Sequence, residues 1–153
     1  MREPRTDVPG LIVHTARGRG RVAYLPADLD RRYARDGLPD HGTLLANLVR
    51  WASGDTLPLT VRGPGLIDCH LYRQPNRLIL HLVNLTSAGA WRGPVDELVP
   101  VGPLRVEVRI PEGVRVSKMK LLASQQQPPL KLEKGAAVLQ LPSLLDHEVI
   151  VWE

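Results

Sequence analysis

The stretch GLIVHTARGRGRVAYLP, residues 10–26, decides what the front of this chain can form. Residues 11–13 and 22–25 within it are continuous apolar runs, which are typical of strands covered on both faces. The glycines of the intervening Arg-Gly-Arg-Gly-Arg segment can take the positive φ angles of a tight connection. Pro26 ends the second run because proline cannot donate a ladder hydrogen bond. The pattern predicts a β-hairpin.

One amphipathic helix is predicted after residues 27–33, which are expected to form a charged loop or a short helical turn. Asp40 is expected to be its N-cap, and Gly54 stands where a C-terminal glycine cap belongs. Apolar residues recur between them at helical spacing, at Leu44, Leu45, Leu48, Val49 and Ala52. Two strands and one helix cannot enclose a core of their own. We therefore expect an interface here, formed by Leu11, Ile12, Val13, Val22, Tyr24, Leu44, Leu45, Leu48 and Trp51.

Beyond the helix the apolar period changes to two. The clearest half-buried strand is LRVEVRI, residues 104–110, where aliphatic and charged residues alternate. Turns are expected at Gln74-Pro75-Asn76 and at residues 133–136, each between two apolar segments. Further strands are predicted at residues 114–116, 119–122 and 148–152. Seven or eight short strands at this spacing predict an antiparallel β-sandwich.

The segment Asp55-Thr56-Leu57-Pro58 marks the one clear boundary. The chain is therefore predicted to be α+β and mostly β. Residues 1–55 would form a partial α/β segment made of the hairpin and one helix, and residues 56–153 a β-sandwich domain.

A resemblance to a known family follows from the order of these motifs. The GRVAYLP strand, the Asp-Leu-Asp loop and the LLANLVRW helix resemble the C-terminal end of the β-galactosidase trimerisation domain. That domain has a glutamine-amidotransferase-like α/β fold and follows the catalytic barrel in bacterial glycoside hydrolases and similar proteins. The segments GPGLID, HLVNLT and AWRGP resemble the small β domain that comes next.

The resemblance implies a non-catalytic accessory part of a glycoside-hydrolase-like protein. Its expected partners are a missing N-terminal hydrolase-like region or other subunits, and a homo-oligomer is one possibility. An amidotransferase-like nucleophile would be a cysteine of the α/β domain, and no cysteine precedes Asp55. The chain is therefore not expected to be an enzyme by itself.

Composition limits the class of protein. The formal net charge is +4 and the pI is about 9.6. The excess lies in the front, where residues 1–54 hold nine Arg against six acids. Cys69 is the single cysteine, which excludes an internal disulfide and argues against a small secreted domain. No apolar run approaches the ~18 residues of a membrane span. A cytoplasmic location is expected, and any leader of the parent protein would precede this sequence.

No catalytic, metal or cofactor site is predicted. Asp28 and Asp30 are interpreted as capping residues that pair with nearby arginines, since glycosidases need two carboxyls that flank one bond. The five histidines lack the spacing of a zinc site, although His70 and His81 could be cross-strand neighbours. Cys69 alternates with Ile67 and Leu71, which predicts a core position.

Two other functions remain open. A carbohydrate-binding module would use the long connection from Thr86 to Pro103, where Trp91 could stack on a sugar ring beside Arg92 and Asp96. An arginine-mediated nucleic-acid binder would use Arg17, Arg19 and Arg21, although aromatic residues for base stacking are scarce.

Overall fold

The computed structural model describes residues 7, 10–16, 18, 20–86 and 98–153. The chain divides into two compact units, Met1–Leu57 and Pro58–Glu153. We call them the front unit and the sandwich unit. No helix in the described ranges has both the length and the apolar character needed to cross a membrane.

The front unit consists of a hairpin and two helices. The hairpin pairs β1 (Ile12–Thr15) with β2 (Arg21–Tyr24) in antiparallel register, as predicted. The helices are α1 (Leu29–Asp36) and α2 (Pro39–Ala52). The sequence predicted a charged loop or a short helical turn at residues 27–33, and α1 is a longer helix that includes part of that segment.

The ends of α2 confirm one expected cap and correct the other. The helix begins at Pro39 with Leu38 as N-cap, so Asp40 lies inside the first turn. Proline is well suited to this first position because its missing N–H has no helical partner there. At the other end Gly54 has a φ of 64°. The Gly54 N–H donates to the Trp51 carbonyl, and the Asp55 N–H donates to the Arg50 carbonyl. These two hydrogen bonds form a Schellman motif, so the predicted glycine cap is confirmed.

Helix α1 is held by its turn and by its contact with α2. Gly37 ends α1 in the left-handed conformation and donates its N–H to Tyr33 O at 2.9 Å. The Tyr33 ring lies against Gly42 so closely that a Cβ there would come within 2.7 Å of it. Gly42 therefore allows the two helices to approach.

The sandwich unit contains two four-stranded antiparallel sheets, which confirms the predicted β-sandwich. One sheet has the order β4-β5-β10-β7 and the other β3-β6-β9-β8. The strands are β3 (Leu59–Arg62), β4 (Ile67–Gln74), β5 (Arg77–Asn84), β6 (Leu104–Arg109), β7 (Met119–Leu121), β8 (Lys131–Glu133), β9 (Ala136–Leu141) and β10 (His147–Trp152).

The core lies between the sheets because the inward residues of each strand are apolar. Leu78, Leu80 and Leu82 of β5 and Leu104 of β6 are buried, and so is Trp152 of β10. The two tight turns also follow the sequence. Pro75 and Asn76 join β4 to β5, with Asn76 at a φ of 60°. Lys134 and Gly135 join β8 to β9 with φ angles of 48° and 82°, which suits a hairpin.

One strand prediction was wrong, and another was one residue too long. Residues 114–116 do not form a strand, and β7 is confined to Met119–Leu121. Val114 is buried all the same, so the alternation marks a connection that packs on the core as it passes from one sheet to the other. The runs at 11–13 and 22–25 were predicted to be covered by a partner outside this sequence, and within the described residues the front unit has no buried side chain.

Candidate functional site

One face of the front hairpin carries apolar side chains in solvent. The register pairs Ile12 with Tyr24 and His14 with Val22, so these four side chains share one face of the hairpin. Ile12, Val22 and Tyr24 are 46%, 55% and 58% exposed. We call these four residues the open face.

The opposite face of the hairpin is tied to α2 through a single arginine. Arg21 Nη1 donates to the Trp51 carbonyl at 2.8 Å. The guanidinium carbon lies 5.6 Å from the centroid of the Trp51 ring, which is a cation–π geometry. This contact is polar and local, so it holds the helix to the hairpin without covering the apolar side chains.

Helix α2 has a half-buried side and an exposed side. Leu45, Leu48 and Trp51 are half-buried, whereas Leu44 and Val49 are exposed. All nine residues predicted for the interface therefore remain accessible: Leu11, Ile12, Val13, Val22, Tyr24 and Leu44 are exposed, and the other three are half-buried. The hairpin carries some of them and α2 the rest, joined by the contact between Arg21 and Trp51.

The acidic residues around α1 form ion pairs at the surface. Asp28 Oδ2 lies 3.5 Å from Arg31 Nη1, in agreement with the pairing predicted for this loop. Arg35 binds both oxygens of Asp36, at 2.6 and 2.9 Å. This bidentate hydrogen bonding lowers the pKa of Asp36. Asp30 lies in the first turn of α1, where a carboxylate interacts well with the helix dipole.

His70, His81 and His147 lie on three strands of the same sheet of the sandwich unit. His70 and His81 are cross-strand partners, as predicted. His70 Nε2 is 2.9 Å from Asp68 Oδ2, and the His81 ring meets Tyr72 edge to face at 5.7 Å. The described part of the chain brings together no three His, Cys, Asp or Glu residues that could hold a metal ion.

Cys69 is half-buried and packs against the core of the sandwich. Burial raises the pKa of its thiol, with a further contribution from Asp68. Because the thiolate is the reactive form, this environment suits a packing residue rather than a nucleophile.

The candidate carbohydrate residues Trp91, Arg92 and Asp96 lie outside the described residues, as do Arg17 and Arg19 of the candidate nucleic-acid loop. Both sites therefore stay predictions.

Asn84 is a buried polar residue whose role the sequence did not show. Its Nδ2 donates to the carbonyls of Val99, Leu144 and Leu145 at 2.7, 3.2 and 2.8 Å. Its Oδ1 accepts from the Thr86 N–H at 2.9 Å. The amide thus joins the end of β5 to two other segments.

Glu148 is the second buried polar residue that the sequence did not show. Its carboxylate accepts hydrogen bonds from the backbone N–H groups of Ala123, Ser124 and Val149, at 2.8 to 3.1 Å. The period of two could have found both residues, because Asn84 continues the inward row of Leu78, Leu80 and Leu82. A polar residue at an inward position needs a fixed partner.

The fold of the chain matches part of a much longer solved protein. The alpha-L-fucosidase isoenzyme 2 from Paenibacillus thiaminolyticus covers 95% of this chain with a TM-score of 0.71 and 20% sequence identity. This chain resembles one part of a bacterial glycoside hydrolase. It spans 22% of the fucosidase chain, and because the match covers 95% of the present chain it includes residues of both units.

A second solved structure is similar over a shorter range. A cycloisomaltooligosaccharide glucanotransferase from Paenibacillus sp., in complex with cycloisomaltoheptaose, covers 61% of this chain and 16% of its own, with 15% identity and a TM-score of 0.49. No protein-family model and no curated protein matches the sequence. The fucosidase match supports the fold of the chain and gives no information on its activity.

Proposed function

We propose that this chain is a non-catalytic accessory and assembly part of a glycoside-hydrolase-like protein. In this proposal residues 1–55 are the end of an α/β domain of the β-galactosidase trimerisation type, and residues 56–153 are the β domain that follows it. The fucosidase match supports this order, since it spans both units within one hydrolase chain.

The observation that carries the proposal is the exposure of the open face. Val22 and Tyr24 are each more than half exposed although they belong to the continuous apolar run of residues 22–25. Contiguous exposed apolar surface is typical of interaction sites, and we assign the open face to such a site. The proposed role is docking on the parent chain or on another subunit.

Covering the open face contributes favourable free energy to docking. Full burial of one aliphatic or aromatic side chain contributes about 1.5–3 kcal/mol. Ile12, Val22 and Tyr24 are already near half covered, so covering them completely contributes roughly 2–4 kcal/mol in total. That amount is a large fraction of the net stability of a small domain.

The bonding of the buried polar groups supports a non-catalytic role. Asn84 and Glu148 are the buried polar residues of the described chain, and both bind backbone groups of neighbouring segments. Their hydrogen-bonding capacity is used to hold the sandwich together. Cys69 has a raised pKa, which disfavours its thiolate.

Light scattering tests the proposal with two variants of equal exposure. Val22 on the open face is 55% exposed, and Leu132 on β8 of the sandwich unit is 56% exposed. We expect the unmodified chain to show a mass above the 17.0 kDa of a single chain and to bind a hydrophobic dye. Val22→Lys should reduce both signals, while Leu132→Lys should leave them unchanged.

The outcomes separate the two docking partners. If the chain is a monomer and Val22→Lys abolishes its dye binding, the result supports docking on the parent chain. An in-frame barrel-encoding region upstream of Met1 would agree with that result. A monomer that binds no dye contradicts the proposal, as does an equal loss of association in both variants.

A further inference from the structure

The sandwich unit has a cleft with arginines at one end of its outer surface. Its volume is about 680 Å³ and it is lined by Pro75, Asn76, Arg77, Gly113, Arg115, Lys118 and Glu153. Pockets that bind small molecules have volumes of about 300–1,000 Å³. The cleft therefore has the size of a small-molecule site.

Strand register places three charged side chains of the cleft side by side. Leu78, Met119 and Trp152 point into the core. Their neighbours Arg77, Lys118 and Glu153 therefore project from the outer face of the sheet, because side chains alternate along a strand. Strand β10 lies between β5 and β7, so Glu153 stands between the arginine and the lysine.

Glu153 is an ionised acceptor, and among the described residues only its Oε1 has a hydrogen-bond partner. Lys120 Nζ and Lys118 Nζ lie 2.6 and 3.2 Å from its Oε1. Hydrogen bonds from these two lysines lower the pKa of Glu153. Since both lysines bind Oε1, Oε2 is left to accept a hydrogen bond from a hydroxyl group.

Two arginines supply cationic groups without an acidic partner. Neither Arg77 nor Arg115 forms an ion pair with any residue in the described part of the chain. A guanidinium group can bind a carboxylate through two parallel hydrogen bonds. The amide of Asn76, exposed at the turn between β4 and β5, adds both donors and an acceptor.

The cleft continues around that turn. A second cleft of about 430 Å³ shares Pro75, Asn76 and Gly113 with the first and adds Arg73. Arg73 is held in place by a hydrogen bond from Nη2 to the Glu112 carbonyl at 3.3 Å. A ligand longer than one ring could therefore extend from Arg115 towards Arg73.

We propose that this cleft binds a saccharide that bears a carboxylate group, with Arg77 and Arg115 on the carboxylate and with Glu153 and Asn76 on the hydroxyl groups. The mixture of charges favours this ligand class. A uronic acid offers one carboxylate to the arginines and several hydroxyl groups to the acceptors, Glu153 and Asn76. Among the described residues no aromatic side chain lines either cleft, so a neutral sugar has no ring on which to stack.

Titration of the full chain with digalacturonate, followed by NMR, tests the proposal. We expect saturable shifts at residues 75–77 and 113–118, and binding at least about tenfold weaker for neutral galactobiose, since a hydrogen-bonded charge pair is lost. Arg77→Gln and Arg115→Gln should each weaken digalacturonate binding about tenfold. Arg62→Gln, an exposed arginine of β3, is the matched control and should change nothing.

Several results would overturn the proposal. They are no binding of digalacturonate, equal binding of galactobiose, binding that survives both arginine substitutions, or equally tight binding of inorganic phosphate or a single-stranded oligonucleotide at the same residues. Circular dichroism checks that the variants are folded. None of these residues belongs to the open face, so each result leaves the docking proposal to its own test.

Discussion

The front unit and the sandwich unit use apolar residues in opposite ways. Every buried apolar side chain among the described residues belongs to the sandwich unit, where the two sheets cover each other. In the front unit the side chains of Ile12, Val22 and Tyr24 are exposed, although the local sequence is just as apolar. Apolar patterning therefore does not by itself decide whether a surface is buried, because topology determines whether another part of the same unit covers it.

The two units also differ in the polar contacts that join their segments. The sandwich unit has buried polar residues, Asn84 and Glu148, that bind backbone groups of other segments. The front unit relies on surface contacts such as the stacking of Arg21 on Trp51. Exposed contacts contribute little to stability. We infer that the sandwich unit supplies most of the stability of the chain.

A matched pair of leucine substitutions gives the largest expected difference between the units. Leu80 of β5 is fully buried, and Leu44 of α2 is exposed. Leu80→Ala should lower the free energy of unfolding of the sandwich unit by about 2–5 kcal/mol, because it removes contacts and leaves a cavity. Leu44→Ala should change the stability of the front unit by less than about 0.5 kcal/mol. Urea unfolding followed by NMR measures both.

Equal losses of unfolding free energy for the two substitutions would contradict this difference between the units. A large loss on Leu44→Ala would mean that α2 is already covered in the isolated chain. It would count against the open surface of the front unit and so against docking.

The sequence predicted the sandwich unit better than the front unit. Alternation in residues 104–110 and the turns at Asn76 and Gly135 are local signals, and the structure confirms them. The length of helix α1 was underestimated, as a charged loop or a short helical turn, because its sequence LDRRYARD is mostly charged and its contact of Tyr33 with Gly42 is tertiary. The start of α2 at Pro39 was readable from the preference of proline for the first helical position.

The candidate sites follow the same division. Exposure of the predicted interface residues could be anticipated because two strands and one helix offer too little cover. The cleft beside Arg77 could not be, because it depends on β5, β7 and β10 being neighbours, and Lys118 and Glu153 are far from Arg77 in sequence. Neighbouring strands that are distant in sequence leave no local pattern.

A pair of asparagine substitutions should show an intermediate effect. Asn84→Ala removes four hydrogen bonds and takes this donor from the carbonyls of Val99 and Leu145, whereas the Leu144 carbonyl still accepts from the Val101 N–H. We expect a loss of about 2–3 kcal/mol in the stability of the sandwich unit. Asn47 is exposed on α2, and Asn47→Ala should be neutral or slightly stabilising because alanine favours the helix. A cost of less than about 0.5 kcal/mol for Asn84→Ala would show that the amide is replaceable.

The smallest expected effect is one that both units should share. Hydrogen bonds from Arg35 and Arg105 lower the pKa of Asp36 in the front unit and of Glu107 in the sandwich unit, from ordinary values of 3.8 and 4.5. A carboxyl group with a lowered pKa stabilises the folded state above its unfolded pKa, and this contribution is lost as the pH falls through the folded pKa. Each unit should therefore lose a little stability between pH 5 and pH 3, as expected for exposed pairs. Asp36→Asn should flatten this loss in the front unit and Glu107→Gln in the sandwich unit, as measured by urea midpoints at both pH values. A steep acid transition in only one unit would show that the units differ in charge interactions as well as in burial.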